Sequence, residues 1–575
     1  MIKKLLFLFL FLFAIWGAKA QCNCDVTLTG LSQTSLNIIL ASNVSYAPGD
    51  TICIPAGTYA GFRFFDFEGT ETAPVTFKNC GGIVEIIEQQ YTGIAFKRSK
   101  YIRITGTGDE DFDYGIHVKE VVNGGSVGIG IEDLSSDFEI DHIEIESTGF
   151  AGIMAKTDPS CSNPDTWRAN GYILKNLSIH DNYIHDTGAE GIYIGYTGGY
   201  KVESNRSCNG SLIFGHWLEN VDIYNNVLEN TAWDGIQVNL VRENGKIRNN
   251  HIYNSGTESV FAQDFAMSIG GGIYEVYNNY MEQYVPGMGQ GMQFISAESG
   301  TKVYNNVLVR PDFHGIFMHN RHEFDDSNEG YYVANNTIIE PGDSGIFYNT
   351  VITITEDPAK KFNTQETVPT YMVNNLVVNP GTDHASGNTW KGDQESYFDF
   401  NKKVERDSTA SRIYTNITTR QMDTLGLMDI INDDYSALDQ TSDLIDVGSD
   451  VSSWGITYDL DNNPRPSGNN VFDIGAYELQ FTVAPPPPPE SRRIRLAPNP
   501  VTDYFKIVDK KRKRKNKRQR KARMTITSLT GITLFDGDYK LGKRFYGVDT
   551  YNPGTYVVTI YYPNNKIFYK YLIIQ

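Results

Sequence analysis

Apolar and polar residues alternate along short runs of this chain, and such runs recur through most of its length. Segments such as "VDIYNNVLE" (221–229) and "GIQVN" (235–239) show the pattern of strands with one buried face. No segment sustains the period of about 3.6 residues that an amphipathic helix requires. The pattern therefore predicts short β-strands joined by turns, and the 53 glycines fit frequent turns.

The strands belong to a repeat that is marked by paired asparagines. "IYNNVLENTAWDGIQVN" (223–239) is echoed by "VYNNVLVRPDFHGIFMHN" (303–320), and in both a glycine follows nine positions after the second asparagine. The second asparagines are 44, 24, 29, 27, 30 and 39 residues apart, at Asn182, Asn226, Asn250, Asn279, Asn306, Asn336 and Asn375. Such a unit with variable insertions is typical of a solenoid. We expect the aligned asparagines to stack into a ladder and the glycine to permit the turn into the next strand.

These repeats resemble right-handed parallel β-helix proteins, the architecture of pectate lyases, polygalacturonases and many bacterial surface proteins. The resemblance spans roughly residues 45–400 and is more specific for fold than for activity. Residues 47–82 resemble the first coils of such a helix, and 459–480 resemble the segment that closes it. An all-β chain with a right-handed parallel β-helix over 21–480 is therefore expected.

The N-terminus and the composition bear on location and partners. Residues 1–20, "MIKKLLFLFLFLFAIWGAKA", have the basic start, short apolar run and small final residues of a secretory signal peptide, which predicts export. No other stretch is apolar enough to be a transmembrane segment. The net charge of −19 argues against nucleic acid as the main partner.

The C-terminal region begins with a proline-rich segment, 481–493, which predicts a stiff linker. Residues 494–575 resemble the sorting domain of the type IX secretion system of Bacteroidetes, through Pro498-Asn499-Pro500, Gly554-Thr555-Tyr556 and an apolar final strand. The resemblance implies a small β-sandwich that engages the type IX machinery and is then removed, leaving the protein secreted or at the outer cell surface. The basic run 510–523 is unusual for that family, and we expect it to be an exposed hairpin tip.

Six cysteines in an exported chain favour disulfides. Cys161 and Cys208 lie in irregular segments that follow successive repeats, so we expect them to pair with each other. The other four, Cys22, Cys24, Cys53 and Cys80, cluster near the start of the chain and allow three pairings.

Candidate catalytic residues stand just before the aligned glycines. Glu190, Asp234 and His314 occupy this position, and Asp264 offers a carboxylate in the divergent third coil. Successive coils lie about 4.8 Å apart, so neighbouring carboxylates can reach the spacings that glycoside hydrolases use. "WDGI" and "HGIF" also resemble strand starts of polygalacturonases, although the paired aspartates and the Arg-x-Lys of that family are absent. The alternative is that these residues are ordinary turn formers.

A polysaccharide lyase needs a base and a positive charge beside the uronate carboxylate. Basic residues in or beside the long loops fit this need, namely Lys156, Arg168, Lys201, Arg206, Arg242, His319, Arg321 and His322. Aromatic side chains in the same loops can stack on sugar rings. The predicted substrate-binding residues are Trp167, Arg168, Tyr200, Arg206, Trp217 and Arg321.

Two acidic segments are candidates for calcium. "GDEDFDYG" (108–115) is the better one and offers Asp109, Asp111 and Asp113, whereas "DLDNN" (459–463) is weaker. Neither fits the calcium loop of an EF-hand, and a solvated turn is the alternative interpretation.

The sequence thus predicts an exported protein that acts on an extracellular polysaccharide as a glycoside hydrolase or polysaccharide lyase. The alternative is a surface adhesin or glycan-binding protein without catalysis. An enzyme should show the residues before the glycines in an open groove, whereas an adhesin should show them buried or covered by loops. Hydrolysis and elimination are not distinguished, and neither is the sugar.

Overall fold

The computed structural model describes residues 22–574 except for the following segments. These are 88–90, 198–206, 286–287, 296, 298–299, 320–330, 350–369, 384–388, 391–397, 401–411, 430–433, 438–440, 468–470, 481–493, 498–503, 510–520, 529–532, 541–543, 547–553 and 562–566. The predicted signal peptide, the proline-rich segment and most of the basic run therefore lie outside the described residues. The chain divides into two compact units, Met1–Leu479 and Gln480–Gln575.

The larger unit is a parallel β-helix whose described strands stack coil upon coil into two long parallel sheets. We call the 23-stranded one the long sheet and the 12-stranded one the short sheet. A repeat such as 217–239 contributes Trp217–Tyr224 and Val227–Glu229 to the long sheet and Ile236–Asn239 to the short sheet. The predicted parallel β-helix is confirmed.

The long sheet contains Val26–Thr27, Thr51–Tyr59, Val75–Ile86, Lys100–Thr105, Ile116–Val118, Ser136–Asp141, Ile143–Glu146, Ile173–His180, Tyr183–His185, Trp217–Tyr224, Val227–Glu229, Val241–Arg248, His251–Tyr253, Tyr274–Tyr277, Tyr280–Glu282, Lys302–Tyr304, Val307–Val309, Tyr332–Ala334, Thr337–Ile339, Tyr371–Val373, Leu376–Val378, Ile413–Tyr414 and Ile417–Thr419. The short sheet contains Asn37–Leu40, Phe62–Phe65, Ile94–Lys97, Ile129–Glu132, Ile153–Ala155, Ile192–Ile194, Ile236–Asn239, Phe265–Gly270, Gln290–Ile295, Ile316–His319, Ile346–Asn349 and Phe398–Phe400.

Smaller elements decorate the coils. Antiparallel pairs are Ser207–Cys208 with Ser211–Leu212, Thr382–Asp383 with Thr389–Trp390, and Leu427–Asp429 with Asp434–Ala437. Short 3₁₀ turns are Ala41–Asn43, Pro164–Thr166, Arg168–Asn170, Met422–Thr424 and Ser452–Trp454. None of the described helices has the length and apolar character that spanning a bilayer requires.

The second asparagines form the expected ladder inside the turn between the two strands of the long sheet. The Nδ2 of Asn250 donates to the Oδ1 of Asn279 at 3.0 Å, and Asn279 donates to Asn306 at 2.9 Å. The side-chain oxygens also accept the backbone N–H of the preceding asparagine: Asn279 Oδ1 accepts from the N–H of Asn250 at 3.0 Å. The ladder runs from Asn182 through Asn375 to Asn416, an eighth member that the pattern missed because Thr415 replaces the first asparagine.

The first asparagine of each pair makes the turn. Asn225, Asn278 and Asn305 have φ of 55°, 56° and 53°, the left-handed conformation that asparagine tolerates better than most residues. In later coils these side chains also hold the closing segment: Asn305 Nδ2 donates to the carbonyl of Tyr458 at 2.7 Å and Asn335 to that of Asp473 at 2.9 Å. The closing segment is thus anchored along the turns of the last coils.

The aligned glycines serve a different purpose from the predicted one. Their φ angles are not positive at Gly235 or Gly315. A Cβ on Gly235 would instead lie 2.6 Å from the carbonyl oxygen of Ala266, and one on Gly315 would lie 2.5 Å from that of Gly345. Glycine is therefore required here because the next coil approaches closely. The backbone conformation of the turn would also allow other residues.

The interior is a continuous apolar column. In the first coils it consists of stacked phenylalanines, among them Phe64, Phe77 and Phe96, and in later coils of Ile, Val, Leu and Met. Disulfides join Cys22 to Cys80 and Cys24 to Cys53, which selects one of the three pairings, and Cys161 joins Cys208 as expected.

The smaller unit consists of two antiparallel sheets around one core. Ile494–Ala497, Tyr504–Asp509 and Arg544–Tyr546 form one sheet, and Lys521–Ser528, Thr533–Lys540, Gly554–Tyr561 and Ile567–Ile574 form the other. Buried side chains from both, such as Phe505 and Val558, share a single cluster. The unit is therefore a small β-sandwich, as predicted.

Candidate functional site

The register of the short sheet shows which residues before the glycines are aligned. Ile192, Ile236, Met267, Met292 and Ile316 pair in succession. Two residues earlier stand Glu190, Asp234, Phe265, Gln290 and His314. The expectation that Asp264 occupies this position is wrong by one residue: Phe265 does, because the third coil has a longer turn. We call this aligned set the acidic column.

Glu190 lies inside the protein, with 1 % of its surface exposed. Burial raises its pKa to about 7, against a smaller opposing effect of its own backbone and of Lys156. Its Oε2 has no hydrogen-bond partner among the described residues. The carboxyl group is thus close to half protonated at neutral pH, and its second oxygen is unsatisfied.

Asp234 is fully buried, next along the column. Its Oδ1 accepts the backbone N–H of Phe265 at 2.9 Å, whereas its Oδ2 has no partner within the described part of the chain. Burial raises its pKa well above the ordinary value, and the nearby Glu190 and Asp264 raise it further. Burial therefore favours the neutral form of the Asp234 carboxyl group.

His314 is 5 % exposed and packs among Phe313, Phe317 and Phe347. Its Nδ1 lies 2.8 Å from the hydroxyl of Ser344, and burial lowers its pKa to about 3. The imidazole is consequently neutral. It lies three strand steps from Asp234, about 14 Å at about 4.8 Å per step, so the two do not form an acid/base pair.

Asp264 is half-buried and accepts a hydrogen bond from Gln290 Nε2 at 3.0 Å. Burial raises its pKa. The structure brings Glu190, Asp234 and Asp264 near one another, but Glu190, Asp234 and His314 are buried, and none of those three side chains presents itself to a polysaccharide.

A different pair lies on the outward face of the short sheet, where Lys156 is partly exposed and the Tyr193 side chain is largely covered, with 8 % of the residue exposed. Lys156 follows the strand Ile153–Ala155, and its ammonium lies 4.4 Å from the centre of the Tyr193 ring and 3.2 Å from Asp158. The Tyr193 hydroxyl lies 2.7 Å from the hydroxyl of Thr197. Lys156 was one of several basic candidates in the sequence. Strand register pairs Tyr193 with Met154, and the Lys156 side chain reaches the Tyr193 ring from two residues further along.

The pKa of Lys156 has opposing causes. Burial alone would lower it, but the neighbouring Tyr193 and Asp158 raise it, and the net effect is a pKa above the ordinary value. Lys156 is therefore a cation at neutral pH. The side chain is 15 % exposed, which places this charge at the edge of the protein surface.

Three of the predicted substrate-binding residues contact other protein groups, namely Trp167, Arg168 and Trp217, the first residue of its strand. The indole of Trp167 donates to the carbonyl of Ser160 at 2.7 Å, and the Arg168 guanidinium lies 3.8 Å from the ring centre of Trp217. The Cys161–Cys208 disulfide ties the same loops together. Of the other predicted substrate-binding residues, Tyr200, Arg206 and Arg321 lie outside the described residues.

The predicted calcium ligands line a cavity without converging on a point. Asp109 and Asp113 border a space of about 420 Å³ together with Tyr114, His142 and Asp181. Asp109 also accepts the backbone N–H of Asp111, at 3.2 Å, as in an ordinary turn. Among the described residues, this aspartate trio is not one of the groups whose ligand atoms lie within 4.8 Å of one another.

In two clusters on the outward face of the long sheet the possible ligand atoms do lie close together. Neither cluster is among the sites that the sequence predicts. They are Glu139, Asp141 and His180, and Glu144, Glu146 and His185. The signal was present in the alternation of "FEIDHIEIE" (138–146) and "SIHDNYIH" (178–185). Recognising it requires the pairing of strands about forty residues apart, which the sequence alone does not specify.

Comparison with known proteins finds only distant similarity to solved structures. No protein-family model matches the chain, and no curated protein matches it in sequence. A solved pectate lyase is 12 % identical over 78 % of this chain and 97 % of its own, with a TM-score of 0.38. A lacto-N-biosidase from Eubacterium ramulus is 10 % identical over 66 % of this chain and 62 % of its own, with a TM-score of 0.40. An alginate lyase from Paenibacillus sp. is 16 % identical over 52 % and 99 %, with a TM-score of 0.30. Similarity at this level says nothing about activity, and the fold assignment rests on the strand pairing.

Proposed function

We propose that this protein acts on an extracellular polysaccharide that contains uronic acids and cleaves it by elimination. The observation that carries the proposal is the Lys156–Tyr193 pair on the outward face of the short sheet. An ammonium and a phenol side by side are the two kinds of group that elimination next to a uronate carboxylate requires.

In this proposal Lys156 binds the uronate carboxylate and offsets its charge, which makes the hydrogen on the α carbon more acidic. A base removes that proton, the electron pair forms a carbon–carbon double bond, and the glycosidic oxygen at the β carbon leaves and takes up a proton. The proposal assigns these proton transfers to Tyr193, whose hydroxyl lies beside that of Thr197.

The carboxyl groups of the acidic column affect the electrostatics of the Lys156–Tyr193 pair. Because burial raises the pKa of Asp234 well above its ordinary value and that of Glu190 to about 7, the two carboxyl groups offset less of the positive charge of Lys156 than exposed carboxylates would. In their ionised forms they would repel an anionic sugar. Their role in the proposal is electrostatic and structural, and they do not contact the substrate.

The test is a panel of neutral and anionic plant, algal and animal polysaccharides incubated with the purified protein. New reducing ends together with the ultraviolet absorbance of unsaturated uronates are expected. Lys156→Gln and Tyr193→Phe should each lower the rate at least about 100-fold. Lys302→Gln, which removes another ion-paired lysine on the long sheet, should leave it unchanged. Reducing ends without unsaturated products would overturn elimination and make the protein a hydrolase.

A second candidate is a glycan-binding surface protein without catalysis. The burial of Glu190, Asp234 and His314 favours it, because the predicted acid/base residues are then only part of the fold. Binding of a panel member without any product, with folding confirmed by circular dichroism, would select this function.

We also infer that the smaller unit directs export by the type IX route and is removed afterwards. The resemblance of its sequence to such sorting domains and its own β-sandwich core support this inference. The test is the intact mass of protein that a type IX-competent bacterium secretes. Loss of the residues after the linker is expected, and secreted protein that retains them would contradict the inference.

A further inference from the structure

The outward face of the long sheet carries a histidine and two glutamates on adjacent strands. Glu144 and Glu146 alternate on Ile143–Glu146, and Glu146 pairs in register with His185 on Tyr183–His185. On the other side, Glu144 pairs with His117. Alternation along a strand and register between strands thus hold these side chains on one face without any loop.

The donor atoms have the spacing of ligands around one ion. The Nε2 of His185 lies 3.5 Å from Oε1 of Glu144 and 3.8 Å from Oε2 of Glu146. Zinc bonds of about 2.0–2.1 Å in a tetrahedron place neighbouring ligand atoms about 3.3–3.5 Å apart. Small side-chain rotations would therefore bring all three atoms to bonding distance.

The hydrogen bonds of His185 indicate which nitrogen faces the carboxylates. Its Nδ1 lies 2.8 Å from Oδ2 of Asp186, whereas its Nε2 is shielded from solvent and makes no hydrogen bond within the described residues. A carboxylate that accepts one imidazole N–H leaves the lone pair on the other nitrogen, which is how metal-binding histidines are oriented. The Nε2 atom of His185 thus faces two carboxylates from a position shielded from solvent.

The neighbouring cluster of similar composition provides a contrast. There Asp141 is already paired with Arg103 at 2.8 Å and bonded to His142, and both ring nitrogens of His180 have carboxylate partners. Its charges are satisfied by protein groups alone. In the Glu144 cluster, His117 engages Oε2 of Glu144 at 3.1 Å and leaves Oε1 facing His185.

We propose that Glu144, Glu146 and His185 bind a divalent transition-metal ion of the zinc type, with His117 and Asp186 orienting the ligands. Imidazole nitrogen with carboxylate oxygen suits such ions better than calcium, which prefers six to eight oxygens. Three protein ligands leave a fourth position for water or another ligand. This site lies on the opposite sheet from Lys156, and the proposal does not depend on the proposed function.

The experiment uses the full-length protein after treatment with a chelator. Titration calorimetry with Zn²⁺ should show one site per chain, and Co²⁺ should give the intense visible absorption of tetrahedral coordination. His185→Gln and Glu146→Gln should each weaken Zn²⁺ binding at least about 100-fold, because each removes a ligand. His180→Gln, the matched change in the satisfied cluster, should leave affinity within about 2-fold.

The outcomes separate the proposal from its alternatives. Unchanged zinc affinity in Glu146→Gln, or equal loss in His180→Gln, would overturn it. So would the absence of any site in the wild-type protein, which would make the cluster a plain charge network. Circular dichroism of each variant checks folding, and Glu146→Gln tests the ligand without changing the size of the side chain.

Discussion

Two columns of polar side chains run along the β-helix, equally buried but paired very differently. In the ladder, Asn250 and Asn279 are fully buried, and each donates to the next asparagine and to a backbone carbonyl. In the acidic column, Glu190 and Asp234 are just as buried, but each has an oxygen without a partner in the described chain. The first column is complete as structure. In the second column, burial favours the neutral form of both carboxyl groups, so their charge depends on pH.

Breaking the ladder should have the largest effect. Asn279→Ala removes a side chain that bonds Ile247, Tyr277 and Asn306, and it leaves several buried groups unsatisfied. A loss of about 4 kcal/mol in the free energy of unfolding is expected, measured by urea denaturation.

The control for that change is Asn244→Ala. Asn244 also bonds another asparagine, Asn220, at 2.8 Å, but on the exposed surface. Its φ of 54° makes alanine mildly strained there, so about 1 kcal/mol should be lost. Equal losses at both positions would show that burial does not distinguish the ladder.

The acidic column should make stability depend on pH through Glu190. Its pKa is raised to about 7 in the folded protein, so the folded state holds a proton that the unfolded state releases above about pH 4.5. Stability should therefore fall as pH rises from about 4.5 to about 7, by about 3 kcal/mol.

Glu190→Gln should remove the part of this pH-dependent loss of stability that Glu190 causes. Comparing urea midpoints of wild type and variant at about pH 5 and about pH 8 isolates it. The decline left in the variant sums the other buried carboxyl groups whose pKa values are raised, among them Asp234, Asp264 and Glu478. Parallel pH profiles for the two proteins would mean that Glu190 is ionised and compensated in the fold.

His314 should act in the opposite direction within the same column. Burial lowers its pKa to about 3, so the unfolded state binds a proton below about pH 6.5 that the folded state refuses. Its stabilising contribution is complete above that pH and should shrink by about 2 kcal/mol on going down to about pH 5. His314→Asn should flatten the acid side of the profile; an unchanged acid side would show that the imidazole is protonated in place.

The sequence predicted the ladder well because one residue type recurs at one place in every coil. It predicted the acidic column less well, since side-chain burial and coil register depend on turn length: the longer third turn moved Phe265 into the position expected for Asp264. The glycines were recognised, but their reason is the approach of the next coil. The pairing of Glu146 with His185 was out of reach, because it depends on which strands become neighbours.

The smallest effect on stability and on cleavage is expected at Asp264. The variant tests whether a carboxylate beside the acidic column, but outside its register, takes part in catalysis. Asp264→Asn keeps an oxygen for Gln290 Nε2 and changes a side chain that is only half-buried, so stability should change by less than about 1 kcal/mol. Its coil is three strand steps from Lys156, about 14 Å, so cleavage of any polysaccharide should continue at the wild-type rate within about 2-fold. A 100-fold loss of rate at unchanged stability would instead place catalysis at Asp264, and the Lys156–Tyr193 pair would then be an ordinary surface contact. Asp264 lies outside the aligned set because the third turn is longer. This one variant therefore distinguishes a catalytic carboxylate from a half-buried residue of the turn that has no role in cleavage.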